Sequence, residues 1–411
     1  MKSLRINFNK KTSVQTIKLN SSKSESNRLL IIQALSDDKI EIENLSIAND
    51  TIILHNLIEK NPEESWNIED AGTSMRFLTS YLALTKEGSS VTGSERMKKR
   101  PIKILVNALR EIGSKISYLQ EDGYPPIKIN QKINQKINHI NIKGDISSQY
   151  ISSLLMIAPK LKDGLNINVV NPFYSKPYVL MTLKIMKKFG IKSYINNNLI
   201  KIKSQKYSGG KYAIEADWSA ASYWYSIVSI NKKIDQIKLE WLRKNSFQGD
   251  QIISKIMLLF GIITEYVEDG IIIKKYNAKI DSIELDFKDC PDLAQTVLVI
   301  AAYNKVKLKV YGVESLKIKE TDRLKAMKKE LDKIGCKFYD NGKSWILDKR
   351  KMELPSSLTI DTYKDHRMAM AFASLSSEID LYINDPNVVN KSYPTFWNDL
   401  KRVGYKIIWY I

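Results

Sequence analysis

Hydrophobic and polar positions along this chain fall into two helical patterns that alternate. The first is amphipathic. Apolar residues recur at three- and four-residue intervals, and each run stops at a glycine followed at once by a short alternating segment. ILVNALREIG closes at Gly113, LKIMKKFG at Gly190, IISKIMLLFG at Gly261, KAMKKELDKIG at Gly335 and FWNDLKRVG at Gly404. The intervals between these glycines are 77, 71, 74 and 69 residues. Glycine suits the residue after a helix because the left-handed turn there costs it no steric penalty. An earlier copy, TIILHNLIEK, closes at Asn61, the next-best residue for that turn. The second pattern is apolar on nearly every side, which belongs to a helix inside a protein. Its copies begin near Lys23, Ala71, Ser147, Asp217, Asp292 and His366. Segments such as SKISYL, LKVYGV and LYIND alternate with period two and predict strands between the helices. Six repeats, each with one surface and one buried helix, predict an α/β protein of two domains with three repeats apiece.

Composition agrees with that size. The chain has 411 residues, 43% of them hydrophobic, more than one ordinary core accommodates. No run approaches the ~18 apolar residues that read as a membrane span, and MKSLRINFNKK lacks the apolar stretch of a signal peptide. Cys290 and Cys336 give neither a CxxC spacing nor a disulfide framework, so a cytoplasmic location is expected. The net charge of +19 invites an anionic partner, either nucleic acid or small phosphorylated metabolites. Much of that charge is lysine scattered among Ile and Asn, as in INQKINQKINHIN at 129–141. The basic residues do not gather with aromatics on one motif, so no nucleic-acid partner is expected.

The starts of the buried helices change the picture. A helix N-terminus carries roughly half a positive charge and several unpaired N–H groups, so acidic residues are normal there and basic ones are not. Yet Lys23 and Arg28 open the first buried helix, Arg76 lies early in the second, and His366 and Arg367 open the last. Cations added to a positive helix end make sense where an anion binds. Ser22-x-x-Glu25 fits a capping box that places Lys23 and Ser24 in the first turn. Ser147, Ser148 and Gln149 offer hydroxyl and amide groups at another start, and Lys319, Glu320, Asp322 and Arg323 crowd the start of a surface helix. Asp292 and Glu320 stand out as proton carriers. His55, His139 and His366 lack ligand spacing, so no metal is expected. There is no P-loop and no GxGxxG fingerprint.

Taken together these segments resemble the 5-enolpyruvylshikimate-3-phosphate synthase family, in order from Lys23 to Lys391. The family's Lys-Ser-x-Ser-Asn-Arg appears as Lys23 to Arg28, and its Ala-Gly-Thr-x-Met-Arg as Ala71 to Arg76. Arg96, Met97, Arg100 and Pro101 follow, then Ser147-Ser148-Gln149, Ser175-Lys176-Pro177-Tyr178, Gln248-Gly249-Asp250 and Pro291-Asp292. Lys319 to Arg323, Asp365 to Met370, and Lys391 ahead of Pro394 complete the series. The chain departs from the family at Asn20-Ser21 (usually Pro-Gly), Asp70 (Asn), Phe77 (Pro), Ser315 (Asn) and Lys317 (Arg).

The resemblance implies an inside-out α/β barrel fold of the enolpyruvyl transferase type. It would hold six βαβαββ-like units, three per domain, with one domain at 20–214, the other joining 1–19 to 215–411, and the active site in the cleft between them. It also implies the substrates, phosphoenolpyruvate and shikimate 3-phosphate, with no cofactor and a monomeric enzyme. Phosphoenolpyruvate would be held by Lys23, Gly72, Arg100, Gln149, Arg323, Arg367 and Lys391. Shikimate 3-phosphate would meet Lys23, Ser24, Arg28, Ser147, Ser148, Gln149, Ser175, Tyr178, Asp292, Ser315 and Lys319. Asp292, Glu320 and Lys23 would be catalytic. The nearest alternative is the sister enzyme acting on UDP-N-acetylglucosamine, which has a cysteine-bearing loop and an Asn after its first lysine. Here Ser24 follows Lys23, and 94–101 holds no cysteine.

Overall fold

The computed structural model describes residues 2–10, 15–145, 147–278, 280–348 and 352–410. Its helices, in chain order, are α1 (Lys23–Leu35), α2 (Asn49–Lys60), α3 (Gly72–Thr85), α4 (Lys103–Ile112), α5 (Ser148–Ile157), α6 (Lys176–Lys188), α7 (Trp218–Ile230), α8 (Ile253–Leu259), α9 (Ala294–Tyr303), α10 (Arg323–Asp332), α11 (His366–Ala373) and α12 (Phe396–Arg402). The odd-numbered helices are the six apolar ones and the even-numbered helices the six amphipathic ones. In α9, for example, every residue from Ala294 to Ala302 is buried, and each large apolar side chain there contributes roughly 1.5–3 kcal/mol. Asp292 lies in a 3-10 turn (Pro291–Leu293) that runs into α9, because Pro291 supplies a pre-set φ at the helix entry. The closing glycines turn left-handed as expected, with φ of 127° at Gly113, 84° at Gly190, 77° at Gly261, 72° at Gly335 and 108° at Gly404. Asn61 does the same at φ 43°.

The chain divides into two compact units. A continuous unit spans Ser21–Ile214, and a split unit combines Met1–Asn20 with Glu215–Ile411. Among the described residues each holds three sheets. In the continuous unit, Ser65–Asn67 pairs in parallel with Ser90–Thr92 across α3, and His139–Lys143 with Leu165–Val170 across α5. The split unit repeats this with Ser282–Asp286 and Lys307–Tyr311 across α9, and with Ser357–Ile360 and Asp380–Asn384 across α11. In each of these four sheets antiparallel strands complete the pairing, and in three of them the order is strand, buried helix, strand, surface helix, hairpin.

Two repeats exchange their first strands. Thr16–Lys18 precedes α1 in the chain yet pairs with Gln236–Glu240, the strand after α7, in the split unit. Gly210–Ala213 precedes α7 yet pairs with Ile40–Glu43, the strand after α1, in the continuous unit. The latter sheet has only these two strands among the described residues. The last repeat is completed from the other end of the chain: Ser3–Phe8 lies between Asp380–Asn384 and Tyr405–Tyr410, antiparallel to both.

Gly113 shows why the helix ends are fixed. A Cβ at this position would lie 2.0 Å from the Asn134 carbonyl oxygen, besides the strain of φ 127°. Gly113→Ala is therefore expected to cost more than ~1 kcal/mol, seen as a lower urea midpoint at unchanged slope.

Candidate active site

In the continuous unit the site residues sit on the first turns of α1, α3, α5 and α6. Ser22 caps α1 and accepts from the Glu25 N–H at 3.3 Å. The buried Glu25 carboxylate accepts from the Tyr212 hydroxyl at 3.3 Å. Lys23 is thereby the first residue of α1, and its Nζ lies 3.1 Å from the Asp50 carboxylate. Arg28, one turn on, is almost fully buried and hydrogen-bonds only to uncharged oxygens. Nε donates to Thr182 Oγ1 at 2.7 Å, Nη1 to the Ser24 carbonyl at 2.8 Å, and Nη2 to Ser152 Oγ and the Tyr178 carbonyl at 3.2 and 3.3 Å. Burial pushes its pKa down to about 10, so it still carries its charge at neutral pH. The Phe77 ring lies 5.3 Å from this guanidinium, so the residue that replaces the family's usual proline supplies a cation–π contact.

Gly72 opens α3 against a second guanidinium. A Cβ there would lie 2.3 Å from Arg100 Nη1, so only glycine admits Arg100 in this position. Arg100 is itself buried, and its side chain makes no hydrogen bond or ion pair among the described residues. A third guanidinium, that of Arg76, donates to the Gly72 and Pro101 carbonyls at 2.8 and 3.1 Å. Asp70, the carboxylate standing where the family has Asn, accepts from the Ser94 hydroxyl. Ser147 caps α5, and Gln149 donates to Thr73 Oγ1 at 3.0 Å, which ties the start of α5 to that of α3. Ser148 and Ser175 are buried at the starts of α5 and α6, Ser175 in a left-handed conformation at φ 55°. The Tyr178 backbone closes on the Ser175 carbonyl at 3.1 Å.

The split unit builds its cluster from charge pairs. Arg323, the first residue of α10 and 1% exposed, is held by three carboxylates. Nε lies 2.7 Å from Asp365 Oδ2, Nη1 3.0 Å from Asp292 Oδ1, and Nη2 2.9 Å from Glu320 Oε2. Asp365 caps α11 by accepting from the Arg367 N–H at 2.9 Å. The Arg367 guanidinium reaches Asp292 Oδ2 at 2.7 Å and the Tyr223 hydroxyl at 3.2 Å. Glu320 also receives Lys391 Nζ at 3.3 Å. Burial alone would raise the Asp292 pKa, but Arg367, Lys319 and Arg323 outweigh it and hold the carboxyl well below the usual range. Burial disfavours the charge on Arg323, and Asp365, Glu320 and Asp292 more than restore it. Ser315 is buried in the turn Glu314–Ile318, and its side chain makes no hydrogen bond among the described residues.

Within each unit, then, most of the expected residues converge. Sequence reasoning overlooked Asp50, Ser152, Thr182 and Tyr223, whose roles exist only through tertiary contact. Asp365 carried a readable signal, an Asp immediately before His366-Arg367 at a helix start. The described residues contain no group of His, Cys, Asp and Glu suited to a metal, and no helix among them is long and apolar enough to cross a membrane.

The sequence profile described as EPSP synthase (3-phosphoshikimate 1-carboxyvinyltransferase) matches residues 53–400. The chain belongs to the EPSP synthase family. Among its curated relatives, the 3-phosphoshikimate 1-carboxyvinyltransferase of Bacteroides fragilis (strain YCH46) is 44% identical over 396 residues, covering 95% of this chain and 96% of that one. The protein of the same name from Shewanella pealeana is 33% identical over 436 residues, covering 98% and 100%. An EPSP synthase from Acinetobacter baumannii, solved at 2.37 Å, superposes with a TM-score of 0.80 at 20% identity over the whole of both chains, a likeness of fold. These relatives favour the shikimate-linked reading over the UDP-N-acetylglucosamine alternative.

Asp365 is one of three charges that balance the least exposed guanidinium, and it allows a test with an internal control. Asp365→Asn keeps a capping side chain and leaves Arg323 with Asp292 and Glu320, so a loss of ~1–3 kcal/mol is expected in chemical denaturation. Asp380→Asn, which removes the carboxylate partner of Arg5 in a solvent-screened pair, should leave the denaturation midpoint nearly unchanged.

Proposed function

We propose that this chain transfers the enolpyruvyl group of phosphoenolpyruvate to the 5-hydroxyl of shikimate 3-phosphate and releases phosphate. One observation carries the reading furthest. Arg323 and Arg367 grip the two oxygens of a single carboxylate, that of Asp292, at 3.0 and 2.7 Å. Two guanidiniums spaced to clamp one carboxylate are spaced to clamp that of phosphoenolpyruvate. The phosphate groups fall to cations that the protein leaves without a carboxylate bond, Arg28 and Arg100, together with Lys23 and Lys391. Ser24, Ser147, Ser148, Gln149, Ser175, Tyr178, Ser315 and Lys319 would orient the shikimate phosphate and ring hydroxyls. The reading has both units acting on the same substrate pair, in the cleft the family resemblance implies.

Chemistry proceeds by addition and elimination. The 5-hydroxyl oxygen bonds to C2 of phosphoenolpyruvate, its proton passes to Asp292, and C3 gains a proton from Glu320, with Lys23 as a partner. The C2–O bond to phosphate then breaks, C3 returns a proton, and the double bond reforms. Before substrate arrives Asp292 is too acidic to serve as a good base, because Arg367, Lys319 and Arg323 stabilise its charged form. A substrate carboxylate that competes for Arg323 and Arg367 would loosen this hold and restore basicity where the proton is released.

Phosphate release from the purified protein with both substrates is the direct assay, and UDP-N-acetylglucosamine in place of shikimate 3-phosphate should give none. Asp292→Ala and Glu320→Ala are each expected to lower turnover by ~10²–10⁴-fold while substrate binding stays within a few-fold. Wild-type turnover in either variant would remove that residue from its role.

A further inference from the structure

The turn that delivers Asp365 to the guanidinium cluster is held by a second contact away from the cluster. Between the strand Ser357–Ile360 and α11, Tyr363 and Lys364 both take left-handed backbone, at φ 53° and 58°. Among the described residues no other two successive non-glycine residues do so. A side chain in that region crowds the following carbonyl, so such a turn persists only where its surroundings impose it. Here the imposing group is Glu330, fully buried on α10 two turns after Arg323. Its Oε1 accepts from the Tyr363 hydroxyl at 2.5 Å. Its Oε2 accepts from Lys333 Nζ at 2.7 Å and from the Asp361 N–H at 3.3 Å. The Asp365 N–H closes the turn on the Thr362 carbonyl at 2.8 Å. Helix α10 therefore grips this turn twice, at Tyr363 through Glu330 and at Asp365 through Arg323 Nε at 2.7 Å.

We propose that Tyr363 and Glu330 are positioning residues for the two-guanidinium clamp: their hydrogen bond keeps the strained turn in place, and the turn sets the carboxylate of Asp365 from which both arginines take their bearing. Asp365 Oδ2 holds Arg323 Nε, and Oδ1 accepts from the Arg367 N–H at 2.9 Å, so displacing this one residue moves both guanidiniums. The proposal rests on the reading that these guanidiniums hold the phosphoenolpyruvate carboxylate. The left-handed pair makes the arrangement conditional. Without the hydroxyl, Tyr363 and Lys364 relax toward ordinary backbone, and Asp365 moves with them.

Tyr363→Phe removes only the hydroxyl. The KM for phosphoenolpyruvate is expected to rise about five- to tenfold while kcat stays within about twofold. Lys364→Gly, added to Tyr363→Phe, relieves the strain at one of the two positions and should bring KM most of the way back. Tyr311→Phe is the control: it removes a hydroxyl bonded to an exposed carboxylate, that of Glu284 at 3.0 Å, and should leave KM unchanged. A purely structural role for Tyr363 would lower the denaturation midpoint and leave KM where it is, which would overturn the proposal. The second readout needs no substrate: the Arg323 Nε–H resonance, followed by NMR in protein labelled with 15N-arginine. Its exchange with water should quicken in Tyr363→Phe and slow again in the double variant. A resonance that does not respond to Tyr363→Phe, or that Lys364→Gly does not restore, overturns the positioning role directly. If the resonance responds while KM does not, the turn orients Arg323 but the clamp does not hold the substrate carboxylate, which rejects the proposal through the reading it rests on.

Discussion

Buried guanidinium groups govern this structure. A guanidinium carries five N–H donors and a charge that cannot be shed at neutral pH, so placing it under apolar helices requires an oxygen for nearly every donor. The two units meet that requirement in opposite ways. In the split unit Arg323 is balanced by Asp292, Glu320 and Asp365. In the continuous unit Arg28 has a hydroxyl pair, two carbonyls and an aromatic face, with no carboxylate bonded to it. The first solution is electrostatically complete, so an arriving anion must displace an internal one. The second leaves positive charge uncompensated and ready for an anion from outside. An uncompensated buried charge costs stability, and ligand binding recovers that cost, which is how binding energy and site organisation become linked.

The same logic explains the short polar turns at the helix starts. Ser22, Ser147, Asp217, Asp322 and Asp365 each cap a helix through their side chains and so fix where the next residue points. The cap, not the cation, sets the geometry: Lys23 follows Ser22 directly, and Arg323 follows Asp322. Gly72 contributes by absence, since any side chain there would occupy the volume of Arg100.

Much of this was legible in the chain. The alternation of apolar and amphipathic helices marked all twelve segments because both patterns depend on residues a few positions apart. The glycine ends and Asn61 were legible for the same reason. The exchange of strands Thr16–Lys18 and Gly210–Ala213 between repeats was not, because three- and four-residue strands carry too little pattern to name partners about 200 residues away. At the site, cations at helix starts stood out by violating the usual charge preference. Their acceptors did not: Thr182 and Ser152 look like ordinary core hydroxyls until Arg28 reaches them. Ser22 was legible as a cap, but the Tyr212 hydroxyl that donates to the Glu25 carboxylate comes from 187 residues away and left no local sign.

The strand Ser3–Phe8 lies between Asp380–Asn384 and Tyr405–Tyr410, with Ser3 opposite Tyr410. Strands far apart in the sequence are thus hydrogen-bonded neighbours, so the split unit closes only through pairings of very long sequence separation, whereas the continuous unit draws all of its strands from within Ser21–Ile214. Loop-closure entropy consequently favours the continuous unit as the earlier to form, and the half that forms late is the one that keeps its arginines neutralised from within.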